Sequence, residues 1–282
     1  RGGEYVRILR YTAVTRDLAV GRRASSQTRR KLATTTTMAQ PAKKAKPAAS
    51  NGNAGILLTF GESMIRFAPL DETPPATTIR AEPQPFLRSV GGDELNVAVA
   101  LSKLGERTRW ISVVPQGPMG DVIVESGTAN GVAVVGPRPA TGDVGTFTVL
   151  PEAKTVHYQR RNGAFALHDP ATLDWYALLG RADGEQPWLH MTGITPMVSA
   201  AARQSWDAAI LCASATSVPI SLDFNHRKQL GTLAELWAIV TPHASKFEVI
   251  ILSLEQLNGL CGEFMPRTSA ELGLPIADDA DD

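Results

Sequence analysis

Side chains suited to binding a polar ligand stand together in the segment Ser89–Gly105. Gly91 and Gly92 are followed by Asp93 and Asn96, and a mostly apolar run comes next. Glycine has no Cβ, so it permits a tight turn and a close approach of the backbone to a ligand. Asp93 accepts hydrogen bonds from hydroxyl groups, and Asn96 both donates and accepts them. At a helix start, where free backbone N–H groups collect, these residue types suit a short neutral polyol.

The same segment has a purely structural interpretation, in which a glycine turn caps an ordinary core helix. Its apolar residues have helical spacing and predict a helix that ends at Gly105, a residue suited to a left-handed stop. From the residue types alone the structural interpretation is favoured.

A second polar group follows the predicted strand 218–223. Asp223, Asn225 and Arg227 come at its carboxyl end, which is where open α/β sheets bind ligands. An arginine there can bind a carboxylate or a phosphate through two parallel hydrogen bonds. The alternative is a polar loop in which Arg227 only pairs with a neighbouring acid.

Tyr158 and Arg160 form a third group. They stand two residues apart in a β-rich run, so a strand would place both on one face. A phenol and a guanidinium on one face suit an anionic sugar. In the alternative, the pair only covers apolar surface on an exposed hairpin.

The elements that must position these residues alternate along the chain. Predicted strands over 56–60, 110–114, 132–135, 188–191, 218–223 and 247–252 are separated by predicted helices, including 120–130 and 199–213. This alternation predicts an α/β fold with a doubly wound, mainly parallel sheet and helices on both faces. Two β-rich runs, 145–150 and 155–160, interrupt the alternation and predict an inserted antiparallel hairpin.

The charge of the chain is unevenly distributed. Residues 1–53 contain 12 Lys and Arg but only Glu4 and Asp17 as acids, so the rest of the chain is net acidic. We predict a disordered basic leader over 1–53, either a transit peptide or translated upstream sequence with Met38 as the true start. The acidic remainder argues against nucleic-acid binding. No apolar run approaches the ~20 residues that span a bilayer, so no membrane association is expected.

The run G-G-D-x-x-N-V-A-x-x-L-x-x-L-G from Gly91 to Gly105 closely resembles the N-terminal signature of the PfkB (ribokinase-like) sugar kinases. The D-x-N-x-R arrangement at 223–227 and the Y-x-R at 158–160 resemble the 2-keto-3-deoxygluconate kinase branch. The resemblance implies a ribokinase-like fold with a small β-lid, about 63–90 and 141–162, carrying Tyr158 and Arg160. It also implies that Arg227 grips a sugar-acid carboxylate while Asp223 and Asn225 shape the site.

The activity that the resemblance implies is transfer of a phosphoryl group from ATP, with Mg²⁺, to a primary hydroxyl of a sugar or sugar acid. An acid like 2-keto-3-deoxygluconate is favoured. The family's D-T-x-G-A-G-D motif, which supplies the general base, is absent from residues 228–282. We therefore expect residues 54–282 to be a partial kinase domain with its base beyond Asp282, inactive as it stands. We assign neither a catalytic residue nor a metal ligand, and His190 receives no catalytic role.

Other functions stay open on the sequence. They are a neutral-sugar kinase of the fructokinase or ribokinase type, and a non-catalytic sugar-binding or assembly protein on a kinase fold. A nucleotide-cofactor oxidoreductase is disfavoured, because no G-x-G-x-x-G follows the first strand. Exposed lid strands favour a homodimer. Cys212 and Cys261 fit buried thiols in a reducing compartment, which suggests the cytoplasm, or a plastid or mitochondrion if residues 1–37 are a genuine leader.

Overall fold

The computed structural model of the protein describes residues 8–9, 55–70, 85–150, 155–180 and 184–264. In chain order the strands are β1 (Ile8–Leu9), β2 (Gly55–Phe60), β3 (Met64–Pro69), β4 (Phe86–Gly91), β5 (Arg107–Ile111), β6 (Ala133–Val135), β7 (Thr146–Leu150), β8 (Thr155–Gln159), β9 (Gln186–Thr192), β10 (Ile220–Asp223) and β11 (Val249–Ile251). The α-helices are α1 (Asp93–Lys103), α2 (Pro118–Ala129), α3 (Trp175–Leu178), α4 (Thr195–Val198), α5 (Ala200–Ala215), α6 (Leu233–Val240) and α7 (Leu254–Phe264).

Seven strands form the main sheet, in the order β1-β11-β10-β9-β2-β5-β6, and all of their pairings are parallel. Helices cover both faces of this sheet. Trp110 and Ile111 are neighbours in β5 that are both fully buried, yet they belong to different cores. Trp110 packs with Leu95 of α1, whereas Ile111 shares the larger core with Trp206 of α5. The predicted α/β fold class is therefore confirmed.

The strands β3, β4, β7 and β8 form a separate sheet, which we call the lid sheet, in the order β4-β3-β7-β8. Two of its pairings are antiparallel, β3 with β4 and β7 with β8, while β3 and β7 run parallel. The inserted hairpin therefore lies outside the main sheet. Within the described residues, the chain passes between the two sheets at residues 61–63, at Gly92, before β7 and after β8. These four connections lie close together, because Gly92, Gly145 and Arg160 all lie close to Glu62.

Helix α1 begins at Asp93 as the signature predicts, and Gly105 follows its end with φ +97°, which favours glycine. The bounds of β5 were predicted wrongly, since the strand covers Arg107–Ile111 rather than 110–114. The start of β5 was missed because Arg107 and Arg109 are both charged, which is not typical of a buried strand. Glu185 pairs with both, and Arg109 also donates to the Leu178 carbonyl at 3.3 Å.

Two residues of the predicted disordered leader, Ile8–Leu9, form a strand that pairs in parallel with Ile250 and Ile251 of β11. At these two positions the structure departs from the expectation, because the edge of β11 offers backbone hydrogen-bond partners. The rest of the leader and the acidic tail after Phe264 lie outside the described residues. Within the described part of the chain, no helix combines the length and apolar character needed to cross a membrane.

Candidate functional site

A cavity of about 1570 Å³ opens between the lid sheet and the carboxyl ends of the main-sheet strands. Seven of the nine predicted site residues line it: Gly91, Gly92, Asp93, Asn96, Tyr158, Arg160 and Arg227. The segment Pro115–Gly120, at the start of α2, forms a further wall. The fold thus brings together residues that lie up to 136 positions apart in the sequence.

Gly91 and Gly92 are required by packing rather than by turn geometry. The backbone of Gly92 is extended, with φ 176°, a conformation open to any residue. A Cβ on Gly92 would lie 2.5 Å from the Glu62 carbonyl oxygen, and one on Gly91 would lie 2.9 Å from the Phe147 ring. The prediction of a tight turn was therefore wrong. The two glycines instead allow the start of α1 to approach Glu62 and the Phe147 ring of the lid sheet closely. Ser63 supports it, donating from Oγ to the Gly91 carbonyl at 3.1 Å.

Arg227 and Asp93 form an ion pair across the cavity mouth, with Nη2 and Oδ2 3.2 Å apart. Their side chains are 44% and 40% exposed, so water screens the attraction. Such a pair contributes only ~0–1 kcal/mol to stability. A ligand that offers its own carboxylate to Arg227, or its own hydroxyl to Asp93, can replace it at small cost.

Arg160 and Glu62 form a buried ion pair, in contrast to the exposed pair of Arg227 and Asp93. The side chains of Arg160 and Glu62 are only 9% and 3% exposed. The Arg160 Nε donates to Glu62 Oε2 at 2.7 Å, and Nη2 pairs with the same oxygen. Burial raises the pKa of Glu62, an effect that the Arg160 charge and hydrogen bond oppose. Glu62 Oε1 is buried and has no hydrogen-bond partner among the described residues. The guanidinium of Arg160 is thus engaged by the protein itself.

Tyr158 connects Arg160 to the lid sheet. The Arg160 guanidinium carbon lies 5.9 Å from the centre of the Tyr158 ring, within the range of a cation–π contact. The Tyr158 ring also stacks on Phe147, with centroids 5.7 Å apart and planes at 28°. The Tyr158 ring therefore contacts both Arg160 and Phe147, and the aromatic pair of Tyr158 and Phe147 forms part of the cavity wall.

Asp223 and Asn225 lie at the carboxyl end of β10 but do not line the cavity. Asp223 Oδ1 accepts a hydrogen bond from the Asn225 backbone N–H at 3.1 Å, while Asn225 adopts a left-handed φ of 40°. Burial raises the pKa of Asp223, with smaller effects from Asp93 and Arg227. These two residues shape the loop that carries Arg227.

Glu94 is a buried acid at the site that the sequence did not reveal. It is 2% exposed, and its Oε1 accepts hydrogen bonds from the hydroxyls of Thr192 at 2.7 Å and Thr195 at 2.9 Å. Burial raises the pKa of Glu94 to about 7. A Cβ on Gly61 would lie 2.1 Å from the Glu94 carboxyl carbon, so the end of β2 packs directly on this group. Glu94 fixes the α1 start to the loop after β9.

His190 is buried in β9 and contacts the Ser221 hydroxyl at 2.9 Å through Nδ1. Burial lowers the pKa of His190 to about 4, so the ring is neutral at pH 7. It does not line the cavity. Among the described residues, no three His, Cys, Asp or Glu side chains come together as a metal site.

The arrangement can therefore bind a polar, hydroxyl-rich ligand. Arg227 and Asp93 offer a cation and an acceptor at the mouth, and Asn96 adds an amide. The Tyr158–Phe147 pair supplies an apolar surface that can pack against a sugar ring and exclude water.

Several known proteins resemble this chain in sequence or in fold. The model of the family described as pfkB family carbohydrate kinase matches residues 56–250. A Haloferax volcanii protein named 2-dehydro-3-deoxygalactonokinase is 28% identical over 178 residues, 62% of this chain and 53% of that protein. A probable fructokinase-4 of Arabidopsis thaliana is 33% identical over 95 residues, 34% of this chain and 28% of that protein.

Among solved structures, the 2-dehydro-3-deoxygluconokinase of Thermotoga maritima matches with a TM-score of 0.62 and 26% identity. The match covers 76% of this chain and 63% of that one. The chain thus spans about half the length of the Haloferax relative, and less of the Arabidopsis one.

Proposed function

Because the chain belongs to the pfkB family of carbohydrate kinases, we propose that the protein phosphorylates a primary hydroxyl of a sugar or sugar acid with ATP. The acceptor binds in the cavity between the lid sheet and the main sheet. The observation that carries this proposal is the exposed Arg227–Asp93 pair beside the start of α1, 3.2 Å across. It is the charged pair at the site that a ligand can displace.

A 2-keto-3-deoxy sugar acid is the proposed acceptor class. Its carboxylate would pair with Arg227, a charge-assisted contact that can be bidentate. Its hydroxyls would meet Asp93 and Asn96 at the α1 start. The Haloferax and Thermotoga relatives, whose names refer to such acids, support this choice.

A neutral ketohexose is the second candidate. One observation favours it: the two predicted cavity arginines, Arg160 and Arg227, both have an acid partner within the protein. The similarity to the Arabidopsis fructokinase supports the same candidate.

ATP and Mg²⁺ would supply the phosphoryl group and neutralise its charge. The described residues include no group of three potential metal ligands. Residues 228–282 contain no D-T-x-G-A-G-D. We therefore assign no residue of this chain to the nucleotide and derive no transfer step. The residues of the cavity bind and orient the acceptor, and the lid sheet shields it from water.

The remaining proposals concern partners and location. Phe86 and Leu87, on the edge strand β4, are 45% and 51% exposed, which supports pairing of two lid sheets in a homodimer. Cys212 is buried, Cys261 is partly exposed, and both are free thiols, which supports a reducing compartment such as the cytoplasm. We propose no nucleic-acid partner.

The test is ADP formation by the complete natural protein with ATP and Mg²⁺, supplied in turn with 2-dehydro-3-deoxygluconate, 2-dehydro-3-deoxygalactonate and fructose. We expect turnover with at least one sugar acid and slower turnover with fructose. Faster turnover of fructose would select the neutral-sugar kinase. Sugar binding without ADP formation would indicate a non-catalytic sugar-binding protein. The absence of both sugar binding and turnover would contradict the proposal.

A further inference from the structure

A row of four side-chain positions crosses the lid sheet. The strand register places Arg66 of β3 beside Ser89 of β4 on one side and Phe147 of β7 on the other, and Phe147 beside Tyr158 of β8. All four residues line the cavity. Residues paired directly across strands point to the same face of a sheet. Arg66 therefore shares the inner face of the lid sheet with the aromatic pair of Tyr158 and Phe147.

Arg66 differs from the two arginines that the sequence pattern singled out. Arg160 is engaged by Glu62, and Arg227 by Asp93. Arg66 is half-buried, and none of the ion pairs in the part of the chain that the structure describes includes it. Beside it, the Ser89 hydroxyl is buried without a hydrogen-bond partner among those residues. A partly desolvated cation next to an unsatisfied polar group gains most from an anionic ligand that also accepts hydrogen bonds.

A purely structural role is the competing explanation. The aliphatic stem of an arginine can cover apolar neighbours while its head group stays in water. Such a role would affect the stability of the lid sheet, but it would not distinguish a charged sugar from a neutral one. Selectivity between two sugars therefore separates the two explanations.

We propose that Arg66 is a second anion-binding residue of this site, which shares with Arg227 the carboxylate of a sugar acid held under the lid sheet. The proposal rests on the proposed sugar-binding function and deepens it, since it adds a residue of the lid sheet to Arg227 in the selection of acids. Arg160 then has a different task. Its pair with Glu62 fixes the end of β8 to the junction and positions Tyr158, while Arg66 carries a charge that no acid of the described residues neutralises.

The test compares R66Q and R66K with wild type in calorimetric titrations of 2-dehydro-3-deoxygluconate and of fructose. Arg88 provides the matched control, because it lies on the adjacent strand β4, is exposed and does not line the cavity. Losing a charge-assisted contact should weaken binding of the acid by R66Q about ten- to a hundredfold. We expect fructose binding to change by less than about threefold, R66K to recover part of the loss, and R88Q to match wild type for both sugars.

Three results would overturn the proposal, each in a distinguishable way. If wild type binds the acid and R66Q binds it equally well, Arg66 is not at the carboxylate, although the sugar site stands. If R66Q loses affinity for both sugars equally, and its melting temperature falls, Arg66 is structural. If wild type binds neither sugar, the proposed function fails and this inference fails with it.

Discussion

Glu62 and Arg160 stand 98 residues apart in the chain and form a buried ion pair where the two sheets join. Glu62 follows the main-sheet strand β2, whereas Arg160 follows β8 of the lid sheet. The glycine contacts converge on the same residue: a Cβ on Gly92 would meet the Glu62 carbonyl, and one on Gly145 would lie 2.6 Å from Glu62 Oε1. All four connections between the sheets thus pass close to this pair, which holds the lid sheet in position.

Removing Glu62 should therefore destabilise the protein strongly. E62A leaves the buried Arg160 guanidinium without a partner, which typically costs about 3–5 kcal/mol. Urea unfolding followed by tryptophan fluorescence measures the free energy of unfolding. E255A is the control, because Glu255 pairs with Lys228 at 3.9 Å on the open surface and should change little. Equal stability of E62A and E255A would show that the pair does not hold the junction.

The stability of the protein should fall as the pH rises through neutrality, because of Glu94. Burial raises the pKa of Glu94 to about 7 from its ordinary value of 4.5. The folded state therefore binds this proton more tightly than the unfolded state does. The resulting stabilisation is complete below about pH 4.5 and is lost as the pH rises through about 7, at up to about 1.4 kcal/mol per pH unit.

Replacing Glu94 with Gln isolates this effect, since E94Q keeps a polar group near Thr192 and Thr195 but cannot titrate. We expect the free energy of unfolding of wild type, relative to E94Q, to decrease between pH 5 and pH 8. Burial lowers the pKa of His190 to about 4, which has the opposite effect on stability. The contribution of His190 to the stability of the protein increases as the pH rises towards 6.5. Because both proteins contain His190, its contribution cancels. A difference that does not vary with pH would contradict the assignment.

Replacing Arg227 should weaken the binding of a sugar acid without unfolding the protein. R227A loses one charge-assisted, bidentate contact, worth about ten- to a hundredfold in affinity. Its pair with Asp93 is exposed, so we expect little change in stability. Calorimetric titration with 2-dehydro-3-deoxygluconate measures the loss, and R203A, on helix α5 away from the cavity, is the control. Unchanged affinity of R227A would remove Arg227 from the site.

Local patterns in the sequence were enough to predict the fold class and the start of α1. The apolar spacing from Leu95 to Leu104 and the stop at Gly105 depend only on near neighbours, and the structure places both as expected. The start of β5 was missed because Arg107 and Arg109 look like a solvated loop until Glu185, far along the chain, is brought beside them.

The buried acids could not be predicted for the same reason. Glu94 looks like a solvated residue in the first turn of a helix, and its two threonine partners lie 98 and 101 residues away. Glu62 likewise shows its role only through Arg160. The role of Arg160 depends on its pair with Glu62, and the role of Arg66 depends on the absence of an acid partner among the described residues. Neither property can be predicted from the local sequence. The sequence did contain one signal for the two buried acids, because a glycine stands close to each of them. Gly61 directly precedes Glu62, and Gly92 lies two residues before Glu94.

Hydrogen exchange with and without saturating 2-dehydro-3-deoxygluconate tests most directly whether a sugar binds at the junction of α1 and the lid sheet. The account predicts slower exchange in the segments 91–96 and 227–230, which carry the cavity residues of α1 and of the Arg227 loop. Exchange in α5, which does not line the cavity, should stay unchanged. Slowing confined to other segments, or no slowing at any concentration of the sugar acid or of fructose, would contradict the account.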